Sequence, residues 1–144
     1  MTPADPVLAV VRRTFTQDDI DAFGHVSGGT GHIHTDPEFA AATPFGRTLV
    51  QGLYLLALVE RAVAEAAPGR HEVSVRFVAP VGVGDEFRVE VRDHPDSPGD
   101  LAITASVGER TAVVGTATRA PEVTPPAARA GGTSESSSPT SASW

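Results

Sequence analysis

The sequence predicts an α+β domain in which an antiparallel sheet wraps one long helix. Three observations predict it: a nearly unbroken apolar stretch over residues 49–67, four later segments in which apolar and polar residues alternate at period two, and turn residues between those segments. The chain is 144 residues long, enough for one domain of ordinary size.

The elements follow in order. Val7 to Phe15 is rich in β-branched residues and reads as a strand. Thr16-Gln17-Asp18-Asp19 supplies an N-cap and an acidic first turn, opening a short helix through Phe23. Residues 24–35 hold three of the five His, show neither helical nor strand period, and read as a loop. Asp36-Pro37-Glu38 is a second helix start, an N-cap with Pro at the first helical position. Over 49–67, Leu53, Tyr54, Leu55, Leu56, Leu58, Val59 and Val63 surround the axis, so this helix is expected to be enclosed. Pro68-Gly69 ends it. Val73-Phe77, Glu86-Arg92, Leu101-Val107 and Ala112-Thr118 are the alternating segments, expected to form a meander with one wet face. Arg88 and Arg92 alternate with Glu86 and Glu90 in a pattern suited to cross-strand pairs. One apolar helix in the curve of about five strands is the arrangement of the hot-dog fold. Its open sheet edges favour a dimer.

Composition narrows the function classes. Hydrophobic residues are 40% and charged residues 20%, which fits a folded globular chain. The net charge is −7, and all 11 basic residues are Arg, with only Arg12-Arg13 adjacent, so nucleic acid is not an expected partner. No apolar run approaches the ~20 residues that span a bilayer, and no membrane association is expected. The absence of Cys rules out thiol chemistry and fits a reducing, cytoplasmic setting. From Pro121 onward six Ser, four Pro and three Thr accompany Val123 and Trp144 as the large apolar residues, so 1–120 is read as the domain and 121–144 as a disordered tail.

Four blocks stand in a telling order: Phe15, Asp19 and Phe23; Ser27-Gly28-Gly29-Thr30-Gly31-His32-Ile33-His34-Thr35-Asp36; Phe45-Gly46-Arg47-Thr48-Leu49-Val50-Gln51-Gly52; and Phe77-Val78-Ala79-Pro80-Val81-Gly82-Val83-Gly84-Asp85. Over residues 13–92 the chain resembles the MaoC-like family of (R)-specific enoyl-CoA hydratases and dehydratases. That resemblance implies a single hot-dog domain and an acyl-CoA or acyl-carrier-protein thioester as substrate, with no cofactor and no metal. It also implies a homodimer, or a heterodimer with another hot-dog protein. In the family an Asp and a His in the loop hold a water between them, and a backbone N–H at the start of the central helix stabilises charge on the thioester oxygen. His34 falls on the catalytic His, and Gln51-Gly52 on the segment of the oxyanion donor. The Asp is replaced by Gly29, the Asn by Gly31 and the Pro by His32.

Half of the acid–base pair is therefore missing, and each such group contributes ~10²–10⁴-fold. His25 and Asp36 are the nearby candidates for a secondary acid or base, Asp36 doubling as a helix cap. Three readings follow: a dehydratase or hydratase with a rearranged pair; an isomerase or cyclase of a polyketide-like thioester, whose own hydroxyl adds in an oxa-Michael step; and a catalytically silent hot-dog subunit that binds acyl chains. Arg47, just before the central helix, is the candidate for a phosphate of the carrier.

Overall fold

The structure is a computed structural model and describes residues 5–120. The tail assigned to 121–144 lies outside the described residues. Strand β1 (Val7–Thr14) leads to α1 (Gln17–Ser27), the one-turn helix α2 (His32–Thr35), the short α3 (Pro37–Ala41) and the central helix α4 (Gly52–Ala66). Strands β2 (His71–Phe77), β3 (Glu86–Asp93), β4 (Leu101–Val107) and β5 (Arg110–Arg119) follow.

All five strands form one antiparallel sheet in the order β1-β3-β4-β5-β2. Alternation along β3 sends Phe87, Val89 and Val91 inward, where they meet Ile103 and Ala105 of β4 and Val113 of β5. Helix α4 lays Leu55, Leu58, Val59, Ala62 and Val63 on this face, and Phe15 and Ile20 close one end. Burying each large apolar side chain contributes ~1.5–3 kcal/mol. The core is therefore the seam between α4 and the sheet, an α+β hot-dog arrangement.

Five expectations need correction. The meander covers only β3, β4 and β5; β2 pairs with β5 at the far edge, Val73 opposite Ala117. Residues 78–85 instead cross the molecule and fasten to the segment before α4, through the Leu49–Gly82 bridge and the bonds Val50 N–H to Val81 O at 2.8 Å and Val83 N–H to Thr48 O at 2.9 Å. Those bonds keep residues 49–51 extended, so α4 begins at Gly52 and not at 49.

Helix α1 continues past Phe23 to Ser27, and His25 is therefore helical. Thr16 caps its start in a reciprocal box with Asp19, and Gly28, at φ +80°, ends it by returning its N–H to Gly24 O. Gly24 sits inside the helix because a Cβ there would stand 3.0 Å from Gly29 O, where the returning loop crosses. The charges of β3 pair along the strand: Arg88 and Arg92 both reach Glu90, at 2.7 and 3.0 Å, while Val10 and Thr104 lie opposite it. Finally, α4 is not enclosed within one chain, since Leu53 is 63% exposed.

Candidate active site

Between the start of α4, the end of β2 and helix α2 lies a cavity of about 350 Å³. Its walls are apolar: Leu49, Val50, Leu55 and the run from Phe77 to Val81. His34 is the titratable group among its lining residues, and Gly52 forms part of the wall. The cavity exists because the 78–85 crossover pairs with 48–50 and brings Phe77 and Pro80 alongside the N-terminus of α4.

His34 stands on α2 with its ring fixed. Its Nδ1 lies 2.8 Å from Leu49 O, and a carbonyl only accepts, so Nδ1 carries a proton and, in the neutral ring, Nε2 keeps its lone pair. No hydrogen bond among the described residues engages Nε2. In the neutral form, an imidazole so held at the edge of an apolar cavity presents the free lone pair that a general base needs.

Gly52 is the first residue of α4. The opening N–H groups of a helix lack partners within it and sit at the positive end of the dipole. Gln51 occupies the N-cap position but makes no side-chain cap. Its Nε2 instead donates to Ile20 O at 2.8 Å and to Gly29 O at 3.0 Å. Its Oε1 is buried with no hydrogen-bond partner among the described residues. The helix start is therefore uncapped by a side chain, and its first residue lines the cavity. A Cβ on Gly52 would lie 3.4 Å from Phe77 Cζ, so the Phe77 ring backs this wall.

Gly29, which stands where the family pattern has an Asp, is also crowded by Gln51. A Cβ there would approach Gln51 Cγ at 3.1 Å and Ser27 Oγ at 3.2 Å. A side chain at residue 29 would therefore require the Gln51 stem and Ser27 to give by a few tenths of an ångström.

The other candidates lie elsewhere. His25, exposed on α1, lines a separate cavity with Asp21, Thr30 and Thr35. Asp36 is the N-cap of α3, its carboxylate accepting the Phe39 N–H at 3.1 Å. His32 stacks edge-on against Phe39, ring centroids 5.5 Å apart. Arg47 is held in a two-point pair by Asp85 at 2.8 Å and donates to Val83 O at 3.0 Å. It clamps the crossover before any phosphate arrives.

Sequence reasoning missed Gln17 and Thr48. The Thr48 hydroxyl, in a residue only 1% exposed, donates to Gln17 Oε1 at 2.6 Å, and Gln17 Nε2 donates to His34 O at 2.8 Å. Gln17 carries no local signal beyond opening a helix; its partners lie 31 and 17 residues away along the chain.

Fold and site together define a hot-dog domain whose cavity joins a held imidazole to an uncapped helix N-terminus. Residues 1–113 match the MaoC like domain, and the chain belongs to that family. It is 33% identical over 116 residues to a 3-hydroxybutyryl-CoA dehydratase of Methylorubrum extorquens, covering 75% of this chain and 74% of that one. It is 34% identical over 87 residues to an (R)-specific enoyl-CoA hydratase of Aeromonas caviae, covering 58% and 65% respectively. The solved structure of an (R)-hydratase from A. caviae involved in PHA biosynthesis superposes with a TM-score of 0.64 at 29% identity, over 81% of this chain and 96% of that one. Among the described residues no helix is long and apolar enough to cross a membrane.

Proposed function

We propose that the chain is a hydro-lyase-type enzyme of acyl-CoA or acyl-carrier-protein thioesters, with His34 as the proton-transfer group and the Gly52 N–H as the donor to the thioester oxygen. One observation carries this reading: the Nε2 lone pair of a tautomer fixed by Leu49 O shares an apolar cavity with the uncapped start of α4. With a 3-hydroxyacyl thioester bound, Nε2 takes the α-proton. Electron density moves to the thioester oxygen and is stabilised at Gly52 by a donor already in place. The C–O bond at the β-carbon then breaks as the electrons return to form the double bond. The proton on Nε2 passes to the departing hydroxide, releasing water. Hydration is the reverse. A single His serves both transfers because the same nitrogen is loaded in one step and emptied in the next.

The second reading is supported by Gly29. With glycine at this position, no carboxylate from residue 29 orients a water, and a substrate that carries its own nucleophilic hydroxyl, or that only relocates a double bond, loses nothing by that. Isomerisation or cyclisation of a polyketide-like thioester uses the same base and the same oxyanion donor. His25 and Asp36 remain secondary acid–base candidates only if substrate binding brings their elements to the cavity. We further propose a cytoplasmic homodimer: Leu53, Phe77 and Val78, 63, 49 and 49% exposed beside the cavity, are a surface that a second copy would cover, a heterodimer with another hot-dog chain being the variant of the same idea.

Crotonyl-CoA at high enzyme concentration tests the first reading. Loss of the enoyl absorbance, at least ~100-fold slower in His34→Ala, is expected. No loss with crotonyl-CoA, but conversion of a hydroxylated or polyenyl thioester, selects the second. A purified chain that converts no thioester, yet binds one, is a silent subunit.

A further inference from the structure

The one-turn helix that carries His34 has little of its own to hold it beyond the Thr35 hydroxyl, which donates to Thr30 O and Gly31 O at 3.0 and 3.2 Å. Helix α2 buries no residue, and its N-cap, Gly31, offers no side chain. A single turn is not self-stabilising in water. His34 is nonetheless fixed at both its ring and its backbone, and both fixings lead to two consecutive residues, Thr48 and Leu49.

Leu49 acts directly. Its carbonyl accepts from His34 Nδ1 at 2.8 Å, and its N–H donates to Ile33 O at 3.0 Å. Thr48 acts through Gln17. The buried Thr48 hydroxyl donates to Gln17 Oε1 at 2.6 Å, while Gln17 Nε2 donates both to His34 O at 2.8 Å and to Asp21 Oδ1 at 3.0 Å. This amide has one possible orientation. Turned over, its oxygen would face a carbonyl and a carboxylate, two groups that only accept. Thr48 is anchored in turn, because its own carbonyl accepts the Val83 N–H at 2.9 Å from the crossover.

We infer that Gln17 is the positioning residue of this site, a brace that transmits the place of Thr48 to the backbone of His34 and so keeps Nδ1 within reach of Leu49 O. Gln17 touches neither the cavity nor any reacting atom. It acts through His34, and its catalytic consequence rests on the functional reading given above. Without the brace, the bond from Leu49 N–H to Ile33 O is left as the backbone tie between α2 and this segment, the Nδ1–H bond to Leu49 loosens, and the imidazole is no longer held with Nε2 free.

The test reads the tautomer first and turnover second. Nitrogen NMR of the neutral imidazoles, with His34 identified by its loss in His34→Gln, is expected to show the Nδ1–H form for His34 in the parent chain and in Thr48→Ser, which keeps the hydroxyl. In Gln17→Leu and Thr48→Val the His34 signal is expected to shift toward a mixture in which Nε2–H predominates, with the remaining histidines unchanged. If Gln17→Leu does not fold, Gln17→Glu, which keeps an acceptor for Thr48 but loses both donors, takes its place. On any thioester that the parent chain converts, the same variants are expected to lower kcat about tenfold with KM held within about twofold, and Thr48→Ser to restore it. A His34 tautomer unchanged in folded Gln17 and Thr48→Val variants overturns the inference whatever their activity. A shifted tautomer in a chain that converts no thioester supports the brace and overturns the functional reading instead.

Discussion

Gly52 offers an unusually clean separation of a backbone donor from the fold around it. It is the first residue of α4, where Pro is well accommodated, and Gln51 before it already has φ −61° and ψ +138°, the extended conformation that a following Pro demands. Gly52→Pro therefore deletes the N–H while leaving the helix start intact. The expected result is a fall in turnover of ~10²–10³-fold, the usual loss for one oxyanion donor, with a melting temperature near that of the parent. Gly29→Asp probes the other half of the site. Gly29 is not among the glycines with positive φ, so a side chain is tolerated once Gln51 and Ser27 give by a few tenths of an ångström. Hydration of crotonyl-CoA is expected to rise by at least ~10-fold, within the range a second acid–base group supplies. A variant that folds and gains nothing would mean that residue 29 does not reach the reacting water. At this scale His34 and Gly52 are legible from the sequence, because each sits inside a short block whose spacing is preserved. Gln51 is legible as a residue but not as an arrangement: nothing local says that its amide turns from the helix start to Ile20 and Gly29. Gln17 and Thr48 are not legible at all, since their bond exists only once α1 is laid beside the segment before α4.

The elements were legible wherever their signals are local. Caps at Thr16 and Asp36, the stop at Pro68-Gly69 and the alternation in β3 and β4 all correspond to elements in the structure, within a few residues. Two features were not. The extension of α1 past Phe23 depends on Gly24 being useful to the returning loop, a tertiary reason invisible to a rule that treats Gly as a breaker. The place of β2 depends on whether Val78–Asp85 turns back or crosses over, and turn composition does not distinguish these. Both caps give measurable consequences. Asp36→Ala removes the bond to the Phe39 N–H and is expected to cost ~1 kcal/mol in denaturant titrations, whereas Asp36→Asn keeps an acceptor and most of the stability. Asp19 is held below its ordinary value near 3.8 first by the Thr16 N–H on its carboxylate, with the Thr16 hydroxyl and Arg13 adding to that and burial opposing it. A depressed carboxylate contributes stability that is fully present above the unfolded value and disappears as pH falls through the folded one. The advantage of the parent over Asp19→Asn is therefore expected at neutral pH, should begin to fall near pH 3.8 and should vanish in stronger acid, below the folded value. An advantage that persists unchanged in acid would remove the capping box as its cause.

At the scale of the molecule, the cavity is flanked by exposed apolar side chains and, among the described residues, the sheet is open at β1 and β2. Val7, Leu8 and Val10 of β1 are 37, 40 and 38% exposed, an edge that needs covering. Light scattering at micromolar concentration is expected to give twice the chain mass, and Leu53→Glu to shift it toward one. The fold class was readable because one apolar helix and an alternating sheet have few ways to bury each other. What a single sequence hides is how the strands are ordered, which is a matter of long-range pairing. The central claim is that His34 moves a proton at the α-carbon of an acyl thioester whose oxygen is held at Gly52. Hydration, isomerisation of the double bond and cyclisation all share that step. The measurement that meets it most directly is NMR of solvent deuterium entering the α-position of (R)-3-hydroxybutyryl-CoA, with parent enzyme and with His34→Ala. Deuterium should enter with the parent and at least ~100-fold more slowly with the variant; equal exchange by both, or no exchange at stoichiometric enzyme into this or any thioester that the parent converts, would contradict the account.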